Sequence, residues 1–252
     1  MVTTKKEEKP TEVIIEKLHQ GSIKVWVRGL SPLIFNCMSE KARHELLFPA
    51  GRKTAADKAT NLKHVPIEEY RNSVYRRIGN GPTRLQFPSA GFKGAMSDAA
   101  LEIPGAKKAQ IQRLIWVVGD YVDIYGIPKL LMSIVRSADM SHTPDVRTRA
   151  IVPDWCCCVN LRFSSPTINQ TSILRLLEAS GMLIGIGDFR QGKGKGNYGQ
   201  YSVISDDSEV SEIIKTGGIK EQDAALEKPE FYDVESQNLY SWFDQERKKR
   251  GK

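Results

Sequence analysis

Residues 185–201 gather six glycines, two lysines, an arginine and three aromatic rings. Glycine reaches positive φ and lets another backbone approach closely, so Gly192, Gly194, Gly196 and Gly199 are expected to form a supple loop rich in exposed N–H groups. Such groups suit an anion. Arg190, Lys193 and Lys195 add positive charge, and Phe189, Tyr198 and Tyr201 offer flat faces on which bases stack. The chemistry implied is a cradle for a phosphate backbone. The plainer alternative is a flexible glycine hairpin whose lysines keep it soluble. Neither standard nucleotide signature fits: there is no Gly-x4-Gly-Lys-Ser/Thr, and the Gly-Lys-Gly-Lys-Gly run follows no strand and opens no helix. No cofactor is therefore implied.

Four further groups of cations are candidate phosphate ligands. Arg147 and Arg149, at i and i+2 on an extended segment, face one side and offer two ligands in one direction, unless they belong to a salt-bridged edge. Arg76 and Arg77 precede a hairpin turn, where adjacent arginines are often only solvated. Lys93 lies near the start of a helix, where the macrodipole favours a phosphate. In residues 22–29, Ile23, Val25 and Val27 alternate with Lys24, Trp26 and Arg28, giving one core face and one basic, aromatic face. That second face is either a nucleic-acid platform or a surface covered by a helix around Trp26.

Other chemistries find little support. Cys156, Cys157 and Cys158 are contiguous, so they point to alternate sides of a strand and cannot make a tetrahedral zinc site alone; with Cys37 they read as free thiols in a reducing compartment. The four histidines are scattered, and no residue is assigned a catalytic or metal-binding role. There is no apolar run of membrane-spanning length and residues 1–10 are polar, so a cytoplasmic protein with no membrane partner is expected. Net charge is +7. Residues 206–252 hold 8 Lys+Arg against 12 Asp+Glu, which leaves 29 basic and 18 acidic residues, net +11, in the rest of the chain. A field of that sign favours polyanions.

The elements that must position these residues follow in order. Residues 1–20 read as a flexible, charge-rich arm, and 22–29 as a strand leading into a turn at 30–35, with Ser39 capping a short helix to 47. Residues 49–73 lack periodicity and read as a solvated insertion. A hairpin is predicted at 74–87, with its turn at Gly79-Asn80-Gly81-Pro82. Helices are predicted at 90–101, capped by Ser89, and at 106–117. Extended segments at 121–135 and 147–163 enclose a projecting connection at 136–149. A helix at 173–182, capped by Thr171 or Ser172 and ended by Gly181, is followed by the glycine loop and a last strand at 200–204. Residues 206–252 read as an acidic, then basic, tail with a short amphipathic helix around Leu239, Trp242 and Phe243.

Reduced to its core, residues 21–205 give β-α-β-β-α-β, an α+β, ferredoxin-like (RRM-like, split βαβ) arrangement with the glycine-rich loop between the second helix and the last strand. With that loop, the Pro88-Ser-Ala-Gly-Phe-Lys-Gly-Ala95 helix start and the Ser31-Pro-Leu-Ile34 turn, the chain resembles the RAMP superfamily, RRM-like backbone subunits of CRISPR effector complexes, and a group of uncharacterised bacteriophage proteins. The resemblance implies binding of a single strand through the sheet, the loop and an inserted thumb within 136–149, by repeated copies along the strand. It places the loop role on Arg190, Lys193, Lys195 and Tyr198 and the first-helix role on Lys93. The expected function is a single-stranded RNA- or DNA-binding protein that coats its strand as a homo-oligomer, either as a CRISPR-like RNA backbone subunit or as a phage single-stranded DNA binding or annealing protein. One alternative is a metal-independent endoribonuclease using His44, His64 or His142, and another is an interaction subunit whose tail binds a protein partner or folds onto the basic groove.

Overall fold

Alternation of apolar and polar residues makes 19–29 a strand with one buried side, and most of the chain is arranged around it. The computed structural model describes residues 17–38, 40–48, 64–136, 144–193 and 196–250. In chain order its elements are β1 (His19–Gly29), β2 (Leu33–Ile34), α1 (Glu40–Leu47), α2 (Pro66–Asn72), β3 (Tyr75–Arg76), β4 (Leu85–Pro88), α3 (Ser89–Ala99), α4 (Lys108–Leu114), β5 (Ile115–Val117) and β6 (Tyr121–Tyr125). They continue with β7 (Lys129–Arg136), β8 (Pro144–Val152), β9 (Cys156–Ser165), α5 (Gln170–Leu183), β10 (Tyr201–Val203), α6 (Ser208–Thr216), α7 (Ile219–Glu227) and α8 (Val234–Lys249).

The fold is α+β, with two antiparallel sheets. The larger runs β10-β1-β9-β6-β4-β3, with β5 also pairing β9. Since β1 and β6 are each antiparallel to β9, they run in the same direction with β9 between them. Its apolar side carries Val25, Val27, Val159, Leu161, Ile124 and Phe87, packed with Phe92, Ala95 and Met96 of α3 and Ile173, Leu176 and Leu177 of α5 in one core. Fully burying a side chain such as Phe92 contributes roughly 1.5–3 kcal/mol. The smaller sheet, β2-β8-β7, has α2 against β8 and α8 against β7.

Several sequence expectations are corrected here. The two extended segments are four strands split between sheets: β6 and β9 join the large sheet, β7 and β8 the small one. The insertion between the central strands is thus the whole β7–β8 hairpin, wider than 136–149, and residues 137–143 at its tip lie outside those described. Residues 30–35 are more than a turn, because Leu33 and Ile34 are buried and pair with Val152 and Ile151. Residues 66–72 are not solvated insertion but helix α2; its Tyr70 is fully buried, with the hydroxyl 3.1 Å from the carbonyls of Pro128 and Ala225. A buried phenol with two carbonyl neighbours is a tertiary anchor that helical periodicity in so short a segment does not reveal.

Helix ends also differ. Asn169, not Thr171 or Ser172, caps α5 by accepting the Ser172 amide at 2.8 Å. Ser89 lies inside α3, preceded by Pro88 at its N-cap, and its hydroxyl is buried without a hydrogen bond. Gly181 does not end α5; it is the point of contact with β10, where a Cβ would run into the Tyr201 carbonyl. Ser39, the expected cap of α1, is outside the described residues.

The largest correction concerns the stretch read as a tail, whose described residues, 206–250, carry three helices. Val210 of α6 packs with Cys156 and Ile204, and Leu226 of α7 joins the main core. Gln222 is fully buried, and Ser236 of α8 accepts the Met132 amide at 3.0 Å. Scattered apolar residues in a charged segment suffice because α6 and α7 each have a single buried apolar side chain, and α8 packs through half-buried Leu239, Tyr240 and Phe243.

Candidate functional site

The glycine loop is pinned rather than supple. Its amides at Asp188 and Gly199 donate to the carbonyls of Ile34 and Pro32 at 2.9 and 2.8 Å, and Ile186 donates to Gly199 at 2.9 Å. The glycines are there for close backbone approach: a Cβ on Gly196 would run into the Phe189 carbonyl, and one on Gly199, at φ 70°, into that of Ile186. Gly192 lies against Ile184, so three of the four loop glycines are committed to packing, while Gly194 is outside the described residues. Arg190 turns back to donate to the Gly187 carbonyl at 2.9 Å, and Tyr198 sits half-buried with its ring 6.1 Å from that of exposed Phe189. Lys193 is exposed in a 3-10 turn, Gln191–Lys193; Lys195 is not among the described residues. Tyr201, read as a stacking face, is fully buried and bonded to Ser180 at 2.7 Å.

The paired arginines separate in role. Arg147 is exposed on β8. Arg149 donates to the Phe35 carbonyl at 3.3 Å and pairs with Asp188 at 3.3 Å, so it ties β8 to the glycine loop. Burial is the main influence lowering its pKa, and Asp188 opposes it. Arg77 is bonded to Asp123, which also accepts from Gln86 at 3.0 Å, and this holds the hairpin to β6. As a phosphate ligand Arg77 is therefore already engaged. Arg76 is exposed and, among the described residues, donates only to the Arg71 carbonyl, at 2.8 Å. Lys93 occupies the second turn of α3, half-buried, beyond the first-turn amides.

The basic, aromatic face of β1 is covered by a helix around Trp26, as one expectation had it, but only over part of its length. Toward one end, α6 covers it: Trp26 packs with Val210, Ile213 and Ile214, its ring 5.8 Å from Tyr125. Toward the other it is open. Lys24 pairs across with Asn160, and Ser22 with Arg162, which in turn pairs with Trp116. Lys24 and Arg162 are exposed, and Trp116 is 41% and Tyr121 49% exposed. All lie opposite the core side, since their neighbours Val25, Leu161, Ile115 and Val122 are core residues. The side-chain oxygen of Asn160 is buried there without a partner. Trp116 and Arg162 were missed in the sequence because the pairing of β5 with β9 is not visible in either segment.

A cleft of about 580 Å³ opens on the same side of the sheet at its β3 edge. Arg43, Arg71 and Arg76 line it with Tyr75 and Tyr121, and none of its described lining residues is acidic. Of these only Arg76 was a sequence candidate, because the set is drawn from widely spaced positions.

The histidines are not gathered. His64 lies between two carboxylates, Nδ1 2.9 Å from Glu69 and Nε2 3.3 Å from Asp145, while His44 stacks on Phe48 at 5.1 Å. His142 is outside the described residues. Cys157 faces the core and Cys156 the opposite side, as alternation requires; burial pushes the Cys156 thiol up to about 12 and that of Cys157 well above its usual value. Among the described residues no group of three His, Cys, Asp or Glu side chains is placed to hold a metal, and no helix is long and apolar enough to cross a membrane.

No protein-family model matches the chain, and no curated protein does. Among solved structures it is similar to Cmr6 from Pyrococcus furiosus, with 11% identity over 75% of this chain and 100% of that one and a TM-score of 0.37.

Proposed function

We propose that the protein binds single-stranded nucleic acid across the open part of its large sheet. The observation that carries this reading is the open face on which exposed Trp116 stands beside Arg162, with Lys24 on the next strand. An aromatic ring gives any base a stacking surface, and two exposed cations on adjacent strands neutralise phosphates. A net charge of +7 draws a polyanion to the molecule. The strand order β10-β1-β9-β6, with α3 and α5 on the opposite side, supports a ferredoxin-like core of the RRM and RAMP kind. The arrangement reads little sequence, so it suits a protein that coats its strand by repeated copies, on RNA as a CRISPR-like backbone subunit or on single-stranded DNA in a phage setting. The glycine loop then serves as a fixed wall carrying Lys193 and Phe189. The protein acts as a binder, not a nuclease.

The test is titration of a labelled single-stranded DNA and the matching RNA at low and high salt, reading mobility and complex mass. Salt-sensitive complexes that grow stepwise with strand length support a coating protein, and the preferred sugar separates the two settings. No binding to either strand, or an affinity indifferent to salt, overturns it. Loss of intact RNA during the titration would instead support an endoribonuclease.

A further inference from the structure

The cleft at the β3 edge adjoins the open sheet face, with Tyr121 shared between them. At about 580 Å³ it is the size of a small-ligand site. Its cations are held in place by neutral partners. Arg71 donates from Nε and Nη2 to the Leu226 and Glu227 carbonyls at 2.9 and 2.7 Å, and Arg76 donates to the Arg71 carbonyl. Carbonyls orient a guanidinium without cancelling its charge. Arg43 donates to the Cys37 sulfur at 3.1 Å. Burial, then the like charge of Arg71, lowers the pKa of Arg76, with Asp223 partly opposing them. An anion entering the cleft would relieve that crowding. At the mouth, Tyr75 and Tyr121 stand with ring centroids 6.1 Å apart, and Ile78, an apolar side chain 99% exposed, lies at the rim.

The geometry points to a nucleotide-binding cleft: the phosphate of one nucleotide lies against Arg43 and Arg76, and its base lies on Tyr121 and Ile78 at the mouth. This rests on the proposed function insofar as the nucleotide belongs to a strand crossing the open face, on which Tyr121 also stands. The same chemistry accepts a free 5′-mononucleotide. Arginine forks fit phosphate oxygens, and an exposed tyrosine face takes a base of any identity.

The experiment uses the full chain with two probes, a 5′-mononucleotide and a ten-nucleotide single strand. The rate of Cys37 alkylation, resolved by peptide mass spectrometry, reports occupancy, because Cys37 lines the cleft and is half-buried. Protection by the strand alone identifies a nucleotide of the bound chain; protection by the mononucleotide identifies a free ligand. Tyr121→Ala, at a half-exposed position, is expected to weaken binding of the protecting probe about 5-fold or more, from the usual strength of base stacking. Unchanged alkylation with both probes at saturation overturns the cleft whatever Tyr121→Ala does, since Tyr121 also stands on the open face. If the strand still binds in that case, and binding falls in Lys24→Ala/Arg162→Ala, the sheet-face reading stands alone. Protection by the mononucleotide with no strand binding would leave the cleft standing and remove the sheet-face reading.

Discussion

The side-chain oxygen of Gln222 accepts the backbone N–H of Leu85 at 2.9 Å, so a helix from the acidic end of the chain completes the hydrogen bonding of strand β4. The same oxygen accepts the Arg84 amide at 2.7 Å, and the Gln222 amide nitrogen lies within 3.0 Å of the carbonyls of Ile124, Gly126 and Gly217. Five backbone groups converge on one fully buried side chain.

Gln222→Leu keeps the volume and strands those groups. Each buried, unsatisfied polar group costs about 1–3 kcal/mol, so a loss of roughly 3 kcal/mol or more is expected. Urea unfolding, read as the shift in midpoint at constant slope, measures it.

Glycines of the loop and of α3 divide by what surrounds them. Gly196→Ala places a methyl on the Phe189 carbonyl and should cost about 2 kcal/mol or more. Gly94→Ala, on α3 with nothing within 4 Å of the added Cβ, should instead stabilise by about 0.5–1 kcal/mol. Thermal unfolding of the two variants gives shifts of opposite sign.

On the sheet face, Lys24→Ala and Arg162→Ala should each weaken strand binding and flatten its salt dependence. The slope of log affinity against log salt is expected to fall by about 0.7 for each phosphate contact removed from a single strand. A change in affinity at unaltered slope would show that these side chains act through structure rather than charge.

Stability should fall as pH rises above 9. Burial raises the Cys156 thiol from 9.0 to about 12 and also raises Cys157, Tyr70 and Tyr201. The folded state then holds protons that the unfolded state releases, so stability is fully present below the unfolded value and is lost as pH climbs toward the folded one. Urea midpoints at pH 7, 9 and 10.5 should decline in that order.

Elements with strong local patterns were legible in the sequence: the alternation of β1, the hairpin of β3 and β4, the apolar stripe of α3 and the helix before the glycine loop. What was not legible depends on partners remote in the chain. Arg77 and Arg149 look alike as exposed cations until Asp123 and Asp188 are placed beside them. Trp116 reads as part of a helix, and becomes a surface ring only when β5 pairs with β9. Residues 206–252 look like a tail because their anchors, Val210, Gln222, Leu226 and Ser236, are single buried residues in polar surroundings.

The dependence of β4 and β6 on Gln222 bears on how the chain folds. Every strand of the large sheet precedes residue 222 in the chain, yet the amides of Arg84 and Leu85 and the carbonyls of Ile124 and Gly126 depend on that side chain. Unmet buried backbone groups disfavour closing the core early. Closing of the core is therefore expected to wait for α7, a delay that pulse-labelled hydrogen exchange of the Leu85 amide during refolding would measure.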